Sequence, residues 1–124
     1  IHVGGTDASV AEVRARLGRD KIVGASCYGD LQLARNAAAA GASYVAFGGF
    51  YPSRVKQYEV TTSADIIVQA LSELSLPVCV IGGMTPQNAR PLVTKGAHMV
   101  AAISSVYAAD DHQAAAGAFA DLFR

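Results

Sequence analysis

Ala40-Gly41-Ala42-Ser43-Tyr44-Val45 and Lys95-Gly96-Ala97-His98-Met99-Val100 are one phrase used twice: a helical run ends, Gly-Ala follows, and an apolar strand-like run begins. Glycine is the residue wanted just past a helix end, where the backbone turns left-handed. The same αβ connection used twice marks a modular βα chain. Outward from this phrase, short apolar runs alternate with amphipathic runs five times. The predicted strands lie at 1–4, 21–26, 44–48, 77–81 and 99–104, and are apolar nearly throughout, as for parallel strands covered on both faces. The predicted helices lie at 9–17, 30–40, 63–72, 86–95 and 110–123. Thr85-Pro86 is an N-cap hydroxyl followed by proline at the first helical position. Asp110 or Asp111 can cap the last helix, and Gly18 ends the first as Gly41 and Gly96 end theirs.

Strict βα alternation permits a doubly wound open sheet of the flavodoxin type or a (β/α)8 barrel. Two features favour the barrel: the chain opens inside a strand, and glycine pairs recur at strand ends (Gly4-Gly5, Gly48-Gly49, Gly82-Gly83). A whole barrel needs at least about 200 residues, so 124 residues are expected to form one partial barrel domain, 1–124. An isolated arc of five strands has two open edges, so a homo-oligomer or a partner N-terminal segment is expected to cover them.

Composition narrows the function. Hydrophobic residues are 52% of the chain and charged residues 16%, which argues for a packed core and against disorder. Formal net charge is zero, giving no electrostatic reason to expect nucleic acid or an anionic membrane as partner. The apolar runs fall far short of the roughly 18 residues of a membrane span. The first residues lack the pattern of a signal peptide. Cys27 and Cys79 sit inside predicted strands without metal-ligand spacing, and read as buried free thiols of a reducing cytoplasm.

Barrel chemistry sits in the loops after the strands. Gly82-Gly83-Met84-Thr85-Pro86 leads into a helix, a layout that offers backbone N–H groups and a helix dipole to an anion; Ile103-Ser104-Ser105 adds donors one unit later. A phosphate site is the expectation, tight turns alone the alternative. The long connection 49–62 carries Ser53, Arg54 and Lys56, suited to closing over a phosphate or diphosphate, or simply solvated. Asp7 either binds Mg²⁺ or caps the helix behind it. His2, His98 and His112 read as structural or exposed, with no histidine on the strand rim and no Ser-His-Asp arrangement.

Taken together, His2-Val3-Gly4-Gly5-Thr6-Asp7, Val23-Gly24-Ala25-Ser26-Cys27-Tyr28, Gly41-Ala42-Ser43-Tyr44-Val45-Ala46-Phe47-Gly48, Phe50-Tyr51-Pro52-Ser53-Arg54-Val55-Lys56, Ile81-Gly82-Gly83-Met84-Thr85-Pro86 and Ala101-Ala102-Ile103-Ser104-Ser105 resemble the thiamine phosphate synthase family in order and spacing. The resemblance implies a TIM (β/α)8 barrel, of which this is the C-terminal part with the first three units absent. It also implies a cytoplasmic transferase of thiamine biosynthesis that joins hydroxymethylpyrimidine diphosphate to thiazole phosphate with Mg²⁺. On matching positions it implies Asp7 as a metal ligand, Ser26 beside the pyrimidine and diphosphate, and Lys56 on the diphosphate. It further implies Ser53 where the family has a threonine, and Gly83, Ile103 and Ser104 as the thiazole-phosphate cradle. Gly5 stands where glutamine is common and Val55 where a second threonine is usual. The family's Gln-x-Arg-x-Lys stretch and Asn-Asp pair have no counterpart, so 124 residues alone are expected to be inactive. A thiazole tautomerase-like relative and a non-catalytic phosphate-binding α/β module are the alternatives.

Overall fold

The computed structural model describes residues 1–52 and 62–124. Five strands, β1 (His2–Val3), β2 (Gly24–Tyr28), β3 (Tyr44–Phe47), β4 (Val78–Ile81) and β5 (Met99–Ala101), form one sheet. Its order is β1-β2-β3-β4-β5 and every pairing is parallel. Strand order in space is therefore strand order in sequence. A doubly wound sheet must reverse direction at a switch point; this one never does, which removes the flavodoxin-type alternative.

Helices α1 (Val10–Leu17), α2 (Leu31–Ala39), α3 (Asp65–Glu73) and α4 (Pro86–Thr94) alternate with the strands, and α5 (Ser104–Tyr107), α6 (His112–Ala120) and a 3-10 turn (Asp121–Phe123) follow β5. Their ends obey the local chemistry. Ser9 caps α1 through the Glu12 N–H, and Asp30 caps α2 through the N–H groups of Gln32 and Leu33. Asp111, rather than Asp110, caps α6 through the Ala114 N–H. Thr85 and Asn88 close a reciprocal capping box at 3.1 and 2.8 Å, with Pro86 in first position of α4. Gly18, Gly41 and Gly96 all have positive φ, so the repeated Gly-Ala phrase is the helix stop that the sequence implies.

Alternation sorts each strand into two faces. Val3, Ala25, Cys27, Val45, Phe47, Val78 and Val80 belong to the core cluster shared with Val10, Val13, Ala34, Ile67, Ala89 and Leu92 of the helices. The opposite face carries His2, Gly24, Ser26, Tyr44, Ala46, Cys79, Ile81 and Ala101. Registration places His2, Gly24 and Tyr44 in one row across three strands. Gly24 is required there: a Cβ would stand 2.0 Å from Tyr44 Cζ. Tyr44 crosses over the vacant position and its hydroxyl meets His2 Nδ1 at 2.8 Å.

Among the strands, β2 and β5 depart by more than one residue from the predicted bounds. β2 starts at Gly24 rather than at 21 and runs on to Tyr28, because 21–23 serve as the approach from α1, tied by the Arg14 guanidinium to the Lys21 carbonyl. The strand predicted over 99–104 stops at Ala101, since Ser104 opens the short α5.

Candidate active site

A cavity of about 730 Å³ opens at the carboxyl ends of all five strands. It meets β1 and its turn at His2, Gly4, Gly5 and Asp7, β2 at Ser26 and Tyr28, and β3 at Ala46 and Gly48. It meets β4 at Ile81, Gly82 and Gly83, and β5 at Ala101, Ile103 and Ser104. The sequence expectations Asp7, Ser26, Gly83, Ile103 and Ser104 are thus brought into one wall although they come from four different βα units. Ser53, Arg54, Val55 and Lys56 lie outside the described residues.

Gly82 and Gly83 have φ of +98° and +64°, a left-handed pair that L side chains rarely adopt. Gly83 is doubly constrained, because its Cβ would lie 2.1 Å from the Pro52 carbonyl oxygen. Around it the loop is braced: Asn88 Nδ2 donates to the Gly83 carbonyl at 2.9 Å, and the Tyr51 hydroxyl donates to the Asn88 carbonyl at 2.7 Å. The Ser105 hydroxyl donates to the Met84 carbonyl, tying the β4–α4 loop to the start of α5. α5 starts at Ser104, beside Ile103 in the cavity wall, and the N–H groups of Val106 and Tyr107 both donate to the Ile103 carbonyl. The two left-handed glycines, which carry no side chains, leave backbone that an anion can approach closely.

On the other side of the cavity stands Asp7. It does not cap α1, which Ser9 does; Asp7 Oδ2 instead accepts the Gly4 N–H at 2.7 Å, and the Asp7 N–H returns to the Gly4 carbonyl at 3.2 Å. Asp7 is the one acidic or basic residue, histidine aside, that the described part of the wall contains. No group of three or more His, Cys, Asp or Glu able to hold a metal occurs among the described residues. Mg²⁺ commonly takes one or two carboxylates and completes its shell with phosphate oxygens and water. A lone exposed carboxylate facing an anion cradle fits that donor set.

His2 lies within its strand and off the carboxyl rim, as expected, in the row of the first residues of β2 and β3, yet the cavity reaches down to it. Its Nε2 is 2.7 Å from Ser26 Oγ and its Nδ1 is 2.8 Å from the Tyr44 hydroxyl, with the two rings stacked at 5.6 Å. Burial, with the Cys79 thiol a lesser cause, pushes the Tyr44 phenol above its usual range, so it keeps its proton at neutral pH. With Tyr44 donating to Nδ1, Nε2–H donates to Ser26 and leaves the serine O–H directed elsewhere in the cavity; the other tautomer reverses both bonds. The parity of His2 with Ser26 across the parallel register was the signal available in sequence. Tyr28, the second residue missed, could not be read this way, because the register slips between Ser26 and Tyr28. His98 and His112 are structural, as expected: His98 Nδ1 accepts the Val78 N–H at 3.0 Å, and His112 Nε2 lies 3.1 Å from the Tyr107 carbonyl.

A singly wound parallel sheet with a cavity at its carboxyl edge defines an α/β protein whose candidate site lies where the strands end. The comparisons make this particular. The thiamine monophosphate synthase family profile matches residues 1–106. Thiamine-phosphate synthase of Janthinobacterium sp. (strain Marseille) is 68% identical over 99% of this chain and 59% of its own length. That of Thioalkalivibrio sulfidiphilus (strain HL-EbGR7) is 45% identical over 99% and 58%. The solved thiamine phosphate pyrophosphorylase from Pyrococcus furiosus superposes with a TM-score of 0.82 at 25% identity, over 98% of this chain and 57% of that one. A 3-hexulose-6-phosphate synthase, at 22% identity and TM-score 0.72 over 99% and 61%, shares the fold. The chain belongs to the thiamine monophosphate synthase family, and spans a little under three-fifths of the length of the curated relatives it matches. None of the described helices is long and apolar enough to cross a membrane.

Proposed function

We propose that these five βα units are the C-terminal arc of a (β/α)8 barrel whose complete form is a thiamine phosphate synthase. It joins hydroxymethylpyrimidine diphosphate to thiazole phosphate, giving thiamine monophosphate and pyrophosphate. The sequential strand order supports the barrel. The observation that carries the function is that Gly83, Ile103 and Ser104 line one cavity together with Asp7 and Ser26.

In this reading the thiazole phosphate rests on the backbone of Gly83, Ile103 and Ser104. The pyrimidine diphosphate lies toward Ser26 and Asp7. Mg²⁺, held in part by Asp7, would neutralise charge on the departing diphosphate. Lys56 and Ser53 are assigned to the same diphosphate through the family resemblance. The C–O bond to pyrophosphate breaks, leaving a pyrimidine-methyl cation, and the thiazole nitrogen donates its lone pair to form the new C–N bond. No base is needed for that step. His2 then serves to set the Ser26 hydroxyl rather than to remove a proton.

The presence of His2 in the wall also supplies what a thiazole tautomerase-like enzyme needs, a proton carrier beside Ser26. The two readings part on product. Incubating the intact protein with both substrates and Mg²⁺ should release pyrophosphate in step with thiamine monophosphate. Isomerised thiazole without pyrophosphate would favour the tautomerase. Calorimetric titration adds a direct check: thiazole phosphate should bind well above inorganic phosphate or dephosphorylated thiazole, and Gly83→Asp should abolish the difference.

A further inference from the structure

We propose that Tyr28 is a positioning residue: its hydroxyl holds the turn at 4–7 so that the Asp7 carboxylate stays aimed into the cavity as a metal ligand. The inference rests on the metal role of Asp7 in the reading above.

Tyr28 is the only described non-glycine residue with positive φ, +54°. Such a backbone is disfavoured for an ordinary L residue, whose Cβ crowds the following carbonyl oxygen, and persists where surrounding contacts over-determine it. Here the contacts are visible. Cys27 is fully buried on the helix side of β2, and its carbonyl accepts the Asp30 N–H at 2.9 Å. The Tyr28 carbonyl accepts the Gly48 N–H at 2.9 Å. Between Ser26 and Tyr28 the pairing with β3 slips, so that Tyr28 stands beside Phe47. Bulges of this kind re-aim a side chain at the end of a strand. The re-aimed phenol accepts the Gly5 N–H at 3.0 Å, across to the turn that follows β1.

That bond completes the turn. Gly4 N–H goes to Asp7 Oδ2, Asp7 N–H goes to the Gly4 carbonyl, and Gly5 N–H goes to Tyr28. The phenol also packs on the turn. A Cβ at position 5 would lie 3.4 Å from the Tyr28 hydroxyl and one at position 4 would lie 3.5 Å from it. A strained residue on one strand is thereby spent on holding the carboxylate-bearing turn of its neighbour.

The test uses the intact protein with Mn²⁺ and inorganic pyrophosphate, their joint binding read by water-proton relaxation enhancement, beside steady-state kinetics with Mg²⁺. Tyr28→Phe keeps the ring and the backbone conformation and removes one neutral hydrogen bond. It should weaken Mn²⁺ binding by about three- to tenfold and raise the half-activating Mg²⁺ concentration by a similar factor. At saturating Mg²⁺, kcat should return to within about twofold of wild type, which a merely structural defect would not allow. Asp7→Asn should weaken Mn²⁺ binding more strongly. If Asp7→Asn weakens it and Tyr28→Phe does not, the positioning role is overturned while the metal role of Asp7 stands. If Asp7→Asn binds Mn²⁺ like wild type, the metal reading of Asp7 falls and takes the inference with it.

Discussion

Gly83 bears two constraints at one Cα, and they act in the same direction. Its φ of +64° penalises any L side chain, and the space a Cβ would fill holds the Pro52 carbonyl oxygen at 2.1 Å. The clash is with backbone, which cannot rotate away. Gly83→Ala should therefore cost at least about 2 kcal/mol, measured by urea unfolding, and should weaken thiazole-phosphate binding by displacing the cradle. Cys27 and Cys79 behave differently. Burial is the main cause that pushes both thiols from 9.0 up to about 11. The folded state holds these protons more tightly than the unfolded chain. Their contribution to stability is thus complete below pH 9 and is lost as pH rises from about 9 through 11. Unfolding midpoints should fall over that window, and Cys27→Ala/Cys79→Ala should flatten the fall. Both thiols should resist a thiol reagent at pH 8 until the protein unfolds.

Among the elements, α4 and β2 carry the site. The Thr85–Asn88 box begins α4 two residues after Gly83, so Thr85→Ala should cost about 1 kcal/mol in thermal or urea unfolding, with a matching loosening of the β4–α4 loop. In β2, Gly24 lets Tyr44 reach His2. Gly24→Ala should displace the Tyr44 ring at a cost of about 1–3 kcal/mol and release His2 from its bond to the Tyr44 hydroxyl. A double-mutant cycle checks the cause: in a Tyr44→Ala background the same change should cost little. The Gly24 constraint escapes a reader of the sequence, because nothing local to Val23-Gly24-Ala25 asks for glycine. The demand comes from a tyrosine twenty residues on, placed beside it by parallel pairing.

For the whole molecule, β1 and β5 are the outer strands of the described sheet. Outer strands leave one row of ladder groups without a partner in their own sheet. In the chain of 124 residues, amide exchange should be slowest in β2, β3 and β4 and faster in β1 and β5. Protection of β1 equal to that of β3 would mean that another strand, from a second copy or from further βα units, pairs there.

How much was legible from residues alone follows the range of the forces involved. Alternating βα units, the Gly-Ala helix stops, the Thr85-Pro86 start and the apolar strands are local, set by backbone sterics, capping and hydrophobic period, and a linear sequence displays them in full. Also legible was the gathering of Asp7, Gly83, Ile103 and Ser104, which follow strands, with Ser26, inside β2, in one cavity wall, because the ends of parallel strands converge. Sheet order was not local: barrel and doubly wound windings share the same alternation, and only the pairing of β1 to β5 in chain order removed the doubly wound one. Nor was the role of His2, whose partners are 24 and 42 residues away, or the turn of Tyr28, where a slip in register throws the side chain across to a neighbouring strand. Local chemistry by itself determined which segments form and where they stop. Tertiary pairing alone decided which side chains meet, since hydrogen bonds of about 3 Å between residues so far apart exist only after the strands are in register.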